Sequence, residues 1–180
     1  MIHHAGMSFP GQHTDASTNC RLVHVARPEI NCVAHAHSTY GKAFSTLGYN
    51  IDILTQDHCV FWNDVALYST FRGAVLGAEE GEAIAASLGN KKAAILQNHG
   101  LLTCGRNIEA CVWWFMSLEN CCQVQLLADA AAAGKGTTTV KVNEEEAEYT
   151  WRVAGADHLG YMSALPMFEL VEDASRGYCF

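Results

Sequence analysis

A histidine spacing constrains this chain more than any other feature. His35 and His37 close the apolar run Cys32-Val33-Ala34. Side chains alternate between faces along a strand, so residues two apart point the same way. The pair therefore presents two imidazoles side by side where a strand ends. Two are one short of a catalytic metal site, which takes three protein ligands and keeps a position open. A third histidine sits in Gln97-Asn98-His99-Gly100, directly after the apolar run Ala93-Ala94-Ile95-Leu96. Two strands that both end in histidine point to one cleft where strands stop and loops begin. His35, His37 and His99 are thus candidate ligands of one divalent metal ion. Each alone would read as an ordinary half-buried histidine; the His-x-His pair with a distant Asn-His-Gly favours the metal.

A chain of 180 residues accommodates one domain with a substantial core. With 49% apolar and 17% charged residues it is globular. A net charge of -8 argues against nucleic acid and against anionic membrane surfaces as partners. Otherwise that charge favours solubility and says little more. Eight cysteines show no Cys-x-x-Cys or zinc-finger spacing and mostly sit inside apolar runs, where they read as small hydrophobes. A reducing, cytoplasmic setting is the resulting expectation. The first residues lack a signal peptide's basic start and apolar core, and no stretch reaches membrane-spanning length without a polar break.

Residues 1–19 are polar and without period, and read as an irregular N-terminal segment preceding a domain over 20–180. His3, His4 and His13 fall there, with no regular element to hold them as a site. Residues 20–27 predict a helix that Pro28 stops. Strand 31–37 comes next, then a short helix over 40–47 ended by Gly48. Residues 51–54 and 60–62 read as short strands flanking Gln56-Asp57-His58, with His58 a loop histidine. A helix over 78–88 carries Glu79, Glu80 and Glu82 in its first turns, where the helix dipole favours negative charge. Strands over 93–97 and 101–104 come after it. Asn107 then caps a long helix, 108–132, with Ile108, Cys111, Val112, Phe115, Leu118, Cys122 and Leu126 at three- and four-residue spacing. Trp113 and Trp114 make it apolar almost all round, which fits a central helix or one at a subunit interface. A last helix opens at 143–149, and 160–168 form a semi-apolar tail.

With these motifs placed, the sequence resembles the class II aldolase/adducin family. Ala26-Arg27-Pro28-Glu29-Ile30-Asn31, Tyr40-Gly41-Lys42-Ala43-Phe44-Ser45 and Ile95 through Thr103 followed by Gly105-Arg106 carry the likeness, over roughly residues 20 to 170. It implies a three-layer α/β/α fold around a mainly antiparallel central sheet. It also implies a homo-oligomer, most often a tetramer, with sites near subunit boundaries. By resemblance, His35, His37 and His99 fall where family aldolases bind Zn or a similar cation, which polarises a substrate carbonyl and stabilises an enediolate. The wording of Tyr40 to Phe44 and of Leu54-Thr55-Gln56-Asp57 is closer to the small-molecule aldolase/decarboxylase branch than to adducin.

Two departures from the pattern matter. The register where the family places its acid/base carboxylate falls on Ala16, with Asp15 adjacent but out of register. No catalytic acid/base is therefore assigned. The strands that precede this region in full-length members, with their phosphate-holding loops, have no counterpart here. The expectation is a chain lacking N-terminal strands, with a bare sheet edge. The leading functional expectation is a divalent-metal-dependent lyase of aldolase or decarboxylase type. It would act on a small oxygenated carbonyl or acid through metal-stabilised enolate chemistry, with Zn first and Fe(II) or Mn as alternatives. A non-catalytic adducin-like module, or a truncated inactive remnant, is the second reading. An Fe(II)-dependent oxygenase of the same fold is the third.

Overall fold

The computed structural model describes residues 2–4, 15–71 and 78–174. Its frame is a sheet of five strands among the described residues: β1 (Ile2–His4), β2 (Cys32–Ala36), β3 (Val65–Tyr68), β4 (Ala93–Leu96) and β5 (Gly100–Gly105). The order is β1-β2-β5-β4-β3, and every pairing is antiparallel except β3 with β4. Strands β4 and β5 are buried along their whole length, which explains why both read as continuous apolar runs rather than alternating ones.

Helices cover both faces, giving the expected three layers. On one face α1 (Asp15–Ala26) and α4 (Ala78–Leu88) pack Cys20, Val23, Ile84 and Leu88 against Val33, Ala94, Leu96 and Leu102. On the other, α2 (Thr39–Ser45) and α5 (Ile108–Gly134) pack Phe44, Trp114 and Leu118 against Ala93, Ile95 and Leu101. The alternation of strand side chains sorts neighbours such as Leu101 and Leu102 into opposite layers. Helix α3 (Gln56–Cys59) lies beside α6 (Glu144–Ala154), and α7 (Asp157–Ala174) runs along α5. No helix among the described residues is long and apolar enough to cross a membrane.

Several expectations need correction. Residues 51–54 form no ladder; they are an irregular segment held by Asp52 N–H on the Gln125 side chain (2.8 Å) and by Val142 N–H on Ile53 O (2.8 Å). Residues 60–62 are turn, and the third strand instead forms at Val65–Tyr68. Both misreadings arise from apolar runs too short for period to decide. The semi-apolar tail is helix α7, continuing through Pro166. Part of the irregular 1–19 segment is regular: β1 pairs with β2 in the register Ile2↔Ala34, and α1 starts at Asp15. The outer edge of β2 is thus covered by a three-residue strand rather than bare. His13 lies outside the described residues.

The covering of Trp114 was not legible from its own helix. α7 crosses it at Gly160, where a Cβ would stand 2.6 Å from the indole. Beneath the ring Lys92 Nζ lies 4.3 Å from its centroid. Lys92 is buried and ion-paired with Asp64 at 3.3 Å, and it also donates to Val60 O and Gly155 O. Asp64 further accepts from the Lys92 backbone N–H (2.9 Å) and from Trp151 Nε1 (2.9 Å). These bonds fasten α6 and the turn before α7 to the rim of the sheet.

Candidate metal centre

The topology brings the ends of three elements to one rim. β2 runs toward this rim and finishes at Ala36, β5 starts there at Gly100, and the pairing Ala36↔Leu101 sets the two side by side. The β4–β5 hairpin turns through residues 97–99, with Leu96 opposite Gly100. Asn98 takes the left-handed conformation at φ 57°, which asparagine tolerates better than most residues. Gly100 must be glycine for a different reason: a Cβ there would lie 2.6 Å from Ala36 O. That close approach lets the hairpin lay His99 against the β2 end.

His35, His37 and His99 form one cluster. One ring nitrogen from each lies within 4.8 Å of the others. Ring centroids are 5.2 Å apart for His35–His37, 4.9 Å for His35–His99 and 4.7 Å for His37–His99, with the rings steeply inclined to one another. Such edge-on rings can aim nitrogens at a common point. His35 is buried, His99 half-buried and His37 exposed, so the cluster is anchored inside and opens to solvent.

The orientation of His35 is fixed by a backbone bond. Its Nδ1 is 2.8 Å from Leu101 O, and a carbonyl only accepts, so Nδ1 carries the proton and Nε2 is left as the ligand atom. Burial pushes the His35 imidazolium down to about 4, the neighbouring His99 and His37 reinforcing it against the opposing Leu101 bond. His35 is therefore neutral at ordinary pH, the state in which imidazole binds metal. Three ring nitrogens converging at this range, with one tautomer already set, fit a divalent cation.

His58 belongs elsewhere. It is not in a loop but in α3, wholly buried. Its Nε2 donates to Cys121 O (3.2 Å), and its Nδ1 accepts from Thr55 Oγ1 (2.7 Å). The first bond fastens α3 to α5 and the second is made to Thr55, the N-cap of α3 itself, so both nitrogens are spent. A cavity of about 340 Å³ between residues 50–53 and 141–147, lined by Asp52, Trp62 and Lys141, also lies apart from the triad, whose histidines do not line it.

One polar residue at this rim has no signature in the sequence. Glu119, on α5, is 81 positions from Ser38 and accepts its hydroxyl proton at 2.6 Å, directly beyond His37. No local spacing signals such a pair.

Comparison with known proteins shows the family and the fold. Residues 17–126 match the domain family described as Class II Aldolase and Adducin N-terminal domain. The chain is 42% identical over 147 residues to a protein named Decarboxylase NovR from Streptomyces niveus, covering 82% of this chain and 53% of that one. It is 40% identical over 147 residues to a Streptomyces roseochromogenus subsp. oscitans protein named 4-hydroxy-3-prenylphenylpyruvate oxygenase/4-hydroxy-3-prenylbenzoate synthase, covering 82% and 51%. Among solved structures, one described as L-fuculose 1-phosphate aldolase from Glaciozyma antarctica superposes with a TM-score of 0.74 at 46% identity, covering 85% of this chain and 56% of that chain. The chain thus spans about half the length of these relatives.

Proposed function

This chain belongs to the class II aldolase and adducin N-terminal domain family, and from that premise we propose that it is a divalent-metal-dependent lyase of aldolase or decarboxylase type. Its substrate would be a small oxygenated carbonyl compound or acid. The observation that carries this reading is the convergence of the His35, His37 and His99 ligand atoms within 4.8 Å, with His35 already held in one tautomer. Those three residues would hold the cation, Zn first and Fe(II) or Mn as alternatives. Such a cation supplies Lewis acidity toward a substrate oxygen, as the breaking of a carbon–carbon bond beside a carbonyl requires.

The chain's own residues do the rest. Leu101 O orients His35, and burial keeps that ring neutral over the working pH range. The exposed His37 and half-buried His99 leave an approach from solvent, the side from which substrate would enter. The general acid/base remains unassigned: Asp15 and Ala16 open α1, and neither supplies the family carboxylate in register. A cytoplasmic location and assembly with further copies of the chain belong to the same reading.

Metal analysis of the purified chain tests it, followed by turnover of keto-acid and hydroxy-carbonyl panels with Zn(II), Mn(II) and Fe(II). About one metal per chain is expected, together with carbon–carbon cleavage in at least one panel. A folded chain that binds no stoichiometric metal would favour the adducin-like or remnant reading. A second catalytic reading, an Fe(II)-dependent oxygenase, is favoured by the oxygenase name of the Streptomyces roseochromogenus relative. It predicts oxygen consumption that requires Fe(II) and the substrate together.

A further inference from the structure

His35 and His99 are each held by the sheet. His35 lies within the β2–β5 ladder and donates to Leu101 O. His99 rides on a hairpin closed by its own N–H on Leu96 O (3.0 Å), and the preceding Asn98 N–H is fixed on Ser45 O (3.1 Å). His37 has no ladder partner, because the β2–β5 register ends at Ala36↔Leu101. It is also the most exposed of the three. Something after it must hold its backbone if three nitrogens are to stay convergent.

Directly after His37 the chain enters α2, and the start of that helix is capped in an unusual way. Ser38 occupies the N-cap position with extended backbone, φ -65° and ψ 156°, yet its side chain makes no cap bond to its own helix. The capping is done from another helix. Glu119 on α5 accepts from Tyr40 N–H at 2.8 Å through Oε1 and from Gly41 N–H at 2.6 Å through Oε2. Ser38 Oγ donates to the same Oε2 at 2.6 Å. Three donors at a helix N-terminus meet one carboxylate, the arrangement in which charge-assisted bonds and the helix dipole add. Gly41 permits it: a Cβ there would lie 2.3 Å from Leu101 Cγ and 2.9 Å from Glu119 Oε2.

We propose that Glu119 is a positioning residue for the histidine cluster, fixing the His37 backbone by anchoring Ser38, Tyr40 and Gly41. It acts through His37 and touches no reacting atom. This inference rests on the metal-site reading for its functional meaning, while the positional claim concerns His37 alone.

The test compares wild type, E119Q and E119D with selectively labelled histidine. An amide in place of the carboxylate turns a donor toward donors, so the anchor opens. In the metal-free protein, E119Q should shift or broaden the His37 ring resonances by NMR while leaving those of His35 and His99 near wild type. Zn(II) affinity should fall roughly 10- to 100-fold, the usual effect of losing a group that orients a ligand. The Co(II) absorption spectrum should change in band position, and E119D should recover part of both. Unchanged His37 resonances in folded E119Q overturn the proposal, as does equal disturbance of all three histidines. If wild type binds no metal, the metal reading fails and the His37 resonances still judge the anchor. Should E119Q not fold, S38A removes one of the three bonds and is judged by the same His37 signals.

Discussion

Replacing Asp64 with Ala should be among the costliest single changes outside the histidine rim. Asp64 accepts three contacts: the Lys92 backbone N–H, the Trp151 indole N–H and the Lys92 ammonium. The substitution strands a buried cation, for which the usual cost is about 3–5 kcal/mol. The low end of that range fits better, because Lys92 keeps Val60 O, Gly155 O and the face of Trp114. For a chain of this size, each kcal/mol lowers Tm by about 2–4 °C, so a fall of roughly 6–20 °C is expected. The double variant D64A/K92M removes the stranded charge but leaves the Lys92 and Trp151 N–H groups and the Val60 and Gly155 carbonyls without these partners, so it should recover only part of the D64A loss.

The same charge gives a pH signature. Burial holds the Lys92 pKa below its usual 10.5, against the pull of Asp64. The unfolded chain then binds more protons than the folded one between the depressed value and 10.5, so this group's contribution to stability grows as pH rises through that window. Loss of Asp64 depresses the pKa further, and the D64A deficit should shrink toward alkaline pH. Urea unfolding of wild type, both single variants and the double variant, at neutral pH and near pH ~9.5, measures both effects. A D64A cost below about 1 kcal/mol, or a double variant no more stable than D64A, would refute the reasoning.

Other expectations are equally direct. H35A, H37A and H99A should each abolish stoichiometric metal binding by plasma emission analysis, since two imidazoles make a weak site, whereas H58A should keep the stoichiometry and lose only stability. Burial lowers the pKa of His58 from 6.5, so the unfolded state takes up the proton first and stability should fall as pH drops below about 6.5; H58Q, which removes this titration, should flatten that part of a Tm–pH profile. G41A should cost about 1–3 kcal/mol in urea, because its Cβ would stand 2.3 Å from Leu101 Cγ; a neutral result would mean that α2 shifts freely. Light scattering should give a mass above that of one chain, since Tyr149, Val153, Met162, Leu170 and Val171 leave apolar side chains of α6 and α7 exposed.

The chain's local chemistry determined much of this protein by itself. Strands β2, β4 and β5 were legible because buried strands read as apolar runs bounded by turn residues. Helix α5 was legible from its spacing, and the Asn107 cap is realised by an acceptor bond from Ala110 N–H. The three histidines were legible because each ends or succeeds such a strand. What tertiary structure alone decided is everything that joins distant segments. The parallel strand β3 and the helix α7 over Trp114 carry weak local signals and are fixed by what they pack against, strand β4 and the indole. Only packing could turn His58 from a loop residue into a buried staple on Cys121 O. The same holds for Glu119, which α5 carries to the start of α2 across 81 positions of chain. Propensity and period act over a few residues, whereas a carboxylate capping another helix depends on where two layers meet, a relation that no local pattern encodes.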